Sequence, residues 1–268
     1  MATDRRDLIA AMSEKTPPAC LKLLRQAGGL RVYEAVSMAG LPMVVRHFSQ
    51  GFDGTDPVAA RRFEREKRLA STLSHPQFAT LLEAGGDWLG FEYLQPSLAA
   101  PEQAARFDDN IAVRRLLGTL AEAVAYLHAR GVIHGDIKPG HILFRGDEPV
   151  LIDFGIAALS ADDPLHAVEL AGTPAWMAPE QLSGETGPPA DIWALSAVGL
   201  WLLTGERPFS GDGEDIIRKR RLGAVLEFDW AAARRRADPD LVAALTRGLG
   251  PREDRPAARE LAALCLRR

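Results

Sequence analysis

The stretch from His134 to Leu143, His-Gly-Asp-Ile-Lys-Pro-Gly-His-Ile-Leu, constrains this chain more than any other. It groups Asp136, Lys138 and His141 within a few residues. Leu151-Ile152-Asp153-Phe154-Gly155 follows, a short apolar run ending in a carboxylate and a glycine. Further on come Gly172-Thr173-Pro174-Ala175-Trp176-Met177-Ala178-Pro179-Glu180, then Asp191-Ile192-Trp193, Leu202-Leu203-Thr204-Gly205, Pro208-Phe209 and Arg255-Pro256. Each motif alone is modest, and their order and spacing carry the weight.

Around these motifs the chain changes character. Residues 1–17 read as a polar flank with one short helix, closed by Pro17-Pro18. From Cys20 to Phe48 apolar and polar residues alternate, with turn signals at Gly28-Gly29 and Gly40-Leu41-Pro42, which predicts three strands joined by hairpins. Pro57 to Leu73 carries Phe63, Leu69 and Leu73 at near-helical spacing and predicts an amphipathic helix. Phe78 to Leu94 returns to strands, and Ile111 to Arg130 predicts a long helix stopped by Gly131. Pro149 to Asp153 predicts a short apolar strand, and the remainder reads as mostly helical. A strand-rich first third followed by a helical remainder predicts an α+β, two-lobed architecture. The expected boundaries are 1–17 for the flank, 18–94 for the first lobe and 95–268 for the second.

With these motifs in this order, the chain resembles bacterial members of the eukaryotic-type Ser/Thr protein kinases over roughly residues 20 to 266. The resemblance implies the bilobal protein-kinase fold. It also implies ATP with magnesium or manganese as cofactor and a protein as substrate or partner. Asp136 would take or orient the substrate hydroxyl proton, Lys138 would neutralise the transferred phosphate, and Thr173 would bridge the two. Asp153 would hold the metal, with His141 where the family keeps an asparagine. Glu180 and Arg255 would form a buried ion pair, and Asp191 would accept backbone N–H groups of the catalytic loop. In the first lobe, Arg46 and Glu66 take the places of the family's lysine and glutamate. Ala27 and Val32 lie along its glycine-rich loop, and Phe91, Glu92 and Leu94 form its hinge, which would meet adenine through backbone groups.

Several positions depart from the family pattern. Arg46 stands for lysine, and the glycine positions are Arg25, Ala27 and Leu30. Arginine is planar and bidentate, so it does not replace lysine conservatively. Arg31 is one step past the third of these glycine positions, and strand alternation sends it to the face opposite Leu30. His141 offers a metal a nitrogen, which manganese, zinc or nickel bind better than magnesium. If protonated, His141 would stand as a fixed cation near the phosphates. Gly135 replaces the arginine that binds an activation-loop phosphate, and residues 161 to 172 hold no Ser, Thr or Tyr. Regulation by phosphorylation there is therefore not expected.

The departures favour a pseudokinase or strongly impaired Ser/Thr kinase that binds a protein partner. The retained Asp136, Lys138, Asp153 and Thr173 favour an active kinase with an atypical ATP site. His134-Gly135-Asp136 with Pro139-Gly140 also resembles the HGDxxPGN loop of small-molecule kinases, which lack the segment ending at Glu180.

A net charge of −4 provides no basic field for nucleic acid. With 27 arginines and 5 lysines, isolated arginines carry little weight, and Arg218 to Arg221 reads as a solvated helix face. His75 and His128 read as packing and hydrogen-bonding residues, and His47 and His166 as exposed. The apolar run Ile192 to Leu203 is too short to span a bilayer, at roughly 18 residues or more, and reads as a buried helix. Cys20 and Cys265 form no disulfide or metal pattern. With no secretory signal pattern at the start, a cytoplasmic protein without direct membrane insertion is expected.

Overall fold

The computed structural model describes residues 20–27, 29–48, 57–157, 173–223, 226 and 228–267, without the side chains of Cys20, Leu21, Ala27, Pro57 and Val58. The expected short helix before Pro17 and the segment 158–172, with His166, lie outside these residues. The chain divides into two compact units, Met1–Gln95 and Pro96–Arg268.

Among the described residues, the first unit is an antiparallel sheet with one helix. Strands β1 (Cys20–Ala27), β2 (Leu30–Val36), β3 (Pro42–Phe48), β4 (Leu81–Ala84) and β5 (Trp88–Glu92) take the order β1-β2-β3-β5-β4. Helix α1 (Pro57–Thr72) lies between β3 and β4 in sequence. Alternation along the strands feeds two apolar clusters. Phe63, Ala84 and Leu89 gather Phe48, Leu81 and Phe91, while Ala35, Met43, Val45 and Trp88 gather Tyr33 and Leu82. Gly85 permits the second cluster, because a Cβ there would stand 1.9 Å from Trp88 Nε1. Register places Val32 opposite Arg46 and Arg31 opposite His47, so Arg31 takes the face away from Leu30 and Val32, and away from Arg46. His47 is not simply exposed: it is half-buried and its Nε2 meets Asp87 at 3.1 Å.

Among the described residues, the second unit is helical around one hairpin. Helix α2 (Pro101–Ala104) is a single turn, and α3 (Asn110–His128) runs through the core. Asp109 starts α3 by accepting the Ala112 N–H at 2.8 Å, and Gly131, at φ 68°, turns the chain away after it. Strands β6 (Ile142–Arg145) and β7 (Glu148–Leu151) pair antiparallel. The expected strand at Pro149 to Asp153 is therefore β7, ending before Ile152, and β6 was not anticipated. Helix α4 (Pro188–Thr204) is apolar on all sides because it is buried on nearly all sides. After it come α5 (Gly213–Arg221), α6 (Trp230–Arg236), α7 (Pro239–Gly248) and α8 (Ala258–Leu266). Gly118 lets α3 approach α8, since a Cβ there would stand 2.5 Å from Leu266 Cγ. Among the described residues no helix is long and apolar enough to cross a membrane.

Candidate active site

In the second unit, the loop from Val132 to His141 is held by a carboxylate buried beneath it. Asp191, in the first turn of α4, accepts the N–H groups of His134 at 3.0 Å and Gly135 at 2.8 Å. His128, at the end of α3, meets it at 2.8 Å. Burial alone pushes the Asp191 carboxyl up. The His128 hydrogen bond, the two imidazoles and the Gly135 N–H outweigh this and hold it below the usual carboxylate range. Gly135 adopts φ 78°, a left-handed conformation that glycine takes without strain. Sequence reasoning missed Gln181, whose Nε2 donates to the Gly135 carbonyl at 2.9 Å while its Oε1 accepts the Ala178 N–H at 2.8 Å. A buried amide with both ends used ties the loop to the Thr173–Glu180 segment. No motif marks it.

The loop brings three of the expected residues together. Lys138 Nζ donates to Asp136 Oδ2 at 2.7 Å and to Thr173 Oγ1 at 2.5 Å, and the Thr173 N–H reaches Asp136 Oδ1 at 3.0 Å. A cation, a carboxylate and a hydroxyl therefore share one closed network.

His141 and Asp153 form a second group. The His141 Nδ1 lies 3.0 Å from the Asp136 carbonyl, which fixes Nδ1 as the protonated nitrogen. The bare Nε2 lies 3.5 Å from Asp153 Oδ2. Burial lowers the His141 imidazole to about 4, against the upward pull of Asp153 and Asp136. This favours the uncharged ring over the fixed cation at neutral pH. Asp153 is the only non-glycine residue at positive φ among those described, at 71°. Its Oδ1 accepts the Gly155 N–H at 3.2 Å, a local bond that helps an aspartate tolerate this conformation. Strain of this kind gathers at functional sites. Among the described residues no group of three or more His, Cys, Asp or Glu could hold a metal. A metal here would have two protein donors, one nitrogen and one carboxylate.

Elsewhere in this unit, Arg255 grips Glu180 through two nitrogens at 2.5 and 3.0 Å. Arg255 also donates to the carbonyls of Gly250 and Pro189.

In the first unit, Arg46 on β3 pairs with the buried Glu66 of α1, and its guanidinium lies 5.7 Å from the Phe48 ring centroid. Val32 lies across from Arg46 on β2. The Ala27 backbone ends β1 opposite Leu30, and its side chain is outside the described residues. The Glu92 N–H and carboxylate are both spent on Thr80, at 3.0 and 2.7 Å. The Leu94 N–H makes no hydrogen bond among the described residues.

Comparison with known proteins gives one consistent answer. A family profile described as "Protein kinase domain" matches residues 31–266. The chain is 34% identical over 204 residues to the probable serine/threonine-protein kinase PkwA of Thermomonospora curvata, a match covering 72% of this chain and 27% of that protein. It is 34% identical over 208 residues to the serine/threonine-protein kinase PknA of Mycobacterium tuberculosis, with 72% and 48% covered. With the serine/threonine-protein kinase PknB of Mycolicibacterium smegmatis it shares 31% over 217 residues, with 74% and 34% covered. The chain thus spans less than half the length of these relatives.

Proposed function

The chain belongs to the protein kinase domain family, in the eukaryotic-type Ser/Thr group of these bacterial relatives, and from that premise we propose a strongly impaired or pseudokinase member that binds a protein partner and holds ATP. The observation that carries the impairment is the uncharged His141 nitrogen beside Asp153. Magnesium demands oxygen ligands in near-octahedral array, whereas an imidazole nitrogen suits manganese, zinc or nickel. Asp153 and His141 therefore fit a metal–nucleotide complex, and fit magnesium least. A bound ion would supply positive charge to the nucleotide phosphates. Within the first unit, Arg46, oriented by Glu66, is a group suited to phosphate, and the Leu94 N–H is an open donor for adenine. The site of action is proposed as the cytoplasm.

A second reading, a working Ser/Thr kinase, is favoured by the Asp136–Lys138–Thr173 network. In that reading Asp136 takes the proton of a substrate hydroxyl as the new O–P bond forms and ADP leaves. Lys138 faces the charge on the moving phosphoryl group.

The test is phosphate incorporation from ATP into the chain and a generic protein substrate, with magnesium or manganese, beside Asp136→Asn. Binding is followed by the nucleotide-induced rise in melting temperature. A manganese-favoured rise with background incorporation is expected. Incorporation abolished by Asp136→Asn would establish the second reading instead.

A further inference from the structure

The basic tract Arg218 to Arg221 is not one solvated face. Arg218 and Lys219 both turn to Asp215, at 2.5 and 2.7 Å, and stay exposed. Arg220 turns the other way. Its Nη1 donates to the Pro174 carbonyl at 2.8 Å. Its guanidinium lies 4.5 Å from the Phe209 ring centroid and 5.4 Å from that of Trp193. At the other end of α5, a Cβ on Gly213 would stand 3.7 Å from Pro174 Cγ. Helix α5 thus lies along Pro174, the neighbour of the Thr173 that binds Asp136 and Lys138.

Arg220 has no carboxylate partner among the described residues. The carboxylate acting on it through space is Glu180, and Arg255 already holds both Glu180 oxygens. Burial lowers the guanidinium to about 10. A partly desolvated cation without a counter-charge is costly, and an arriving carboxylate offsets that cost. The two rings and the Pro174 carbonyl hold the fork in place, and its other N–H donors make no hydrogen bond among the described residues.

We infer that Arg220 is a specificity-determining residue that receives an acidic side chain of the protein partner, within a residue or two of the hydroxyl residue presented to Asp136. This rests on the proposed binding of a protein partner, with the bound segment passing beside Pro174.

The experiment is a fluorescence-polarisation titration of the full chain with three labelled serine peptides. They are identical except that Glu, Gln or Lys flanks the serine on both sides. The Glu peptide is expected to bind about tenfold more tightly than the Gln peptide, as a charge-assisted bond requires. Arg220→Gln, which can still donate to Pro174, is expected to erase that preference, and Arg220→Lys, which keeps the charge without the fork, to reduce it. Added salt should narrow the wild-type preference. Binding of all three peptides without preference, or a preference unchanged in Arg220→Gln, overturns the inference and leaves the partner reading standing. If none binds, both fall. Should Arg220→Gln not fold, the Arg220→Lys result and the salt titration decide: a preference indifferent to salt, or undiminished in Arg220→Lys, sinks the inference.

Discussion

His141 turns its unprotonated Nε2 toward Asp153 Oδ2 at 3.5 Å, while its other nitrogen is committed to the Asp136 carbonyl. The pair presents a nitrogen where this family has an amide oxygen. His141→Asn restores that oxygen, and its amide can still donate to Asp136. The ATP-induced rise in melting temperature should then grow with magnesium and lose its manganese margin. An unchanged manganese-to-magnesium ratio would remove His141 from the metal.

Asp153 tests the same site from the carboxylate side. Asn tolerates a left-handed φ nearly as well as Asp and can keep the Gly155 bond. Asp153→Asn should therefore leave unfolding stability within about 0.5 kcal/mol of wild type. The metal-dependent part of the nucleotide thermal shift should vanish. A shift that survives would place the metal elsewhere.

The Glu180–Arg255 pair is architectural, with side chains only 10% and 2% exposed. Arg255→Met leaves a largely buried carboxylate without its cation and frees two carbonyls. Urea denaturation should show a loss of about 3–5 kcal/mol. A loss under about 1 kcal/mol would mean that water replaces the guanidinium.

Asp238 anchors three groups. It receives Arg114 at 2.9 and 2.7 Å and Asn110 at 2.7 Å, and caps α7 through the Leu241 N–H at 2.8 Å. The Arg114 hydrogen bond leads in lowering its carboxyl to about 2. A carboxyl depressed in the folded state contributes stability that is complete above its unfolded value near 4. That contribution is lost as pH falls toward 2. Because Asp238 is 39% exposed, it should amount to no more than about 1 kcal/mol. Melting temperatures of wild type and Asp238→Asn should converge between about pH 4 and pH 2. A gap that persists at pH 2 would assign the effect to the neutral cap.

Ser196 lies fully buried in α4, and its hydroxyl has no hydrogen-bond partner among the described residues. A Cβ on Gly248 would stand 1.9 Å from that oxygen. Ser196→Ala should be neutral or stabilising by up to about 1 kcal/mol. Gly248→Ala should cost about 1–3 kcal/mol, less in the Ser196→Ala background. Equal costs in the two backgrounds would show that the helices simply move apart.

The order of strands and helices was legible because hydrophobic period and turn residues are local properties. Alternation gave β1 to β3, and Gly131 marked the end of α3. The four-residue β6 was missed, since Ile142–Arg145 is too short for alternation to stand out beside the loop it continues. The sequence by itself determined the family and the grouping of Asp136, Lys138 and Thr173, through motifs whose order chance would not produce. Tertiary structure alone decided that burial lowers the His141 imidazole, that Gln181 clamps the loop and that Arg220 leaves its basic neighbours for Pro174. Protonation, burial and the choice of partner depend on atoms that folding brings together from distant parts of the chain. Composition and period along the chain carry no record of that company.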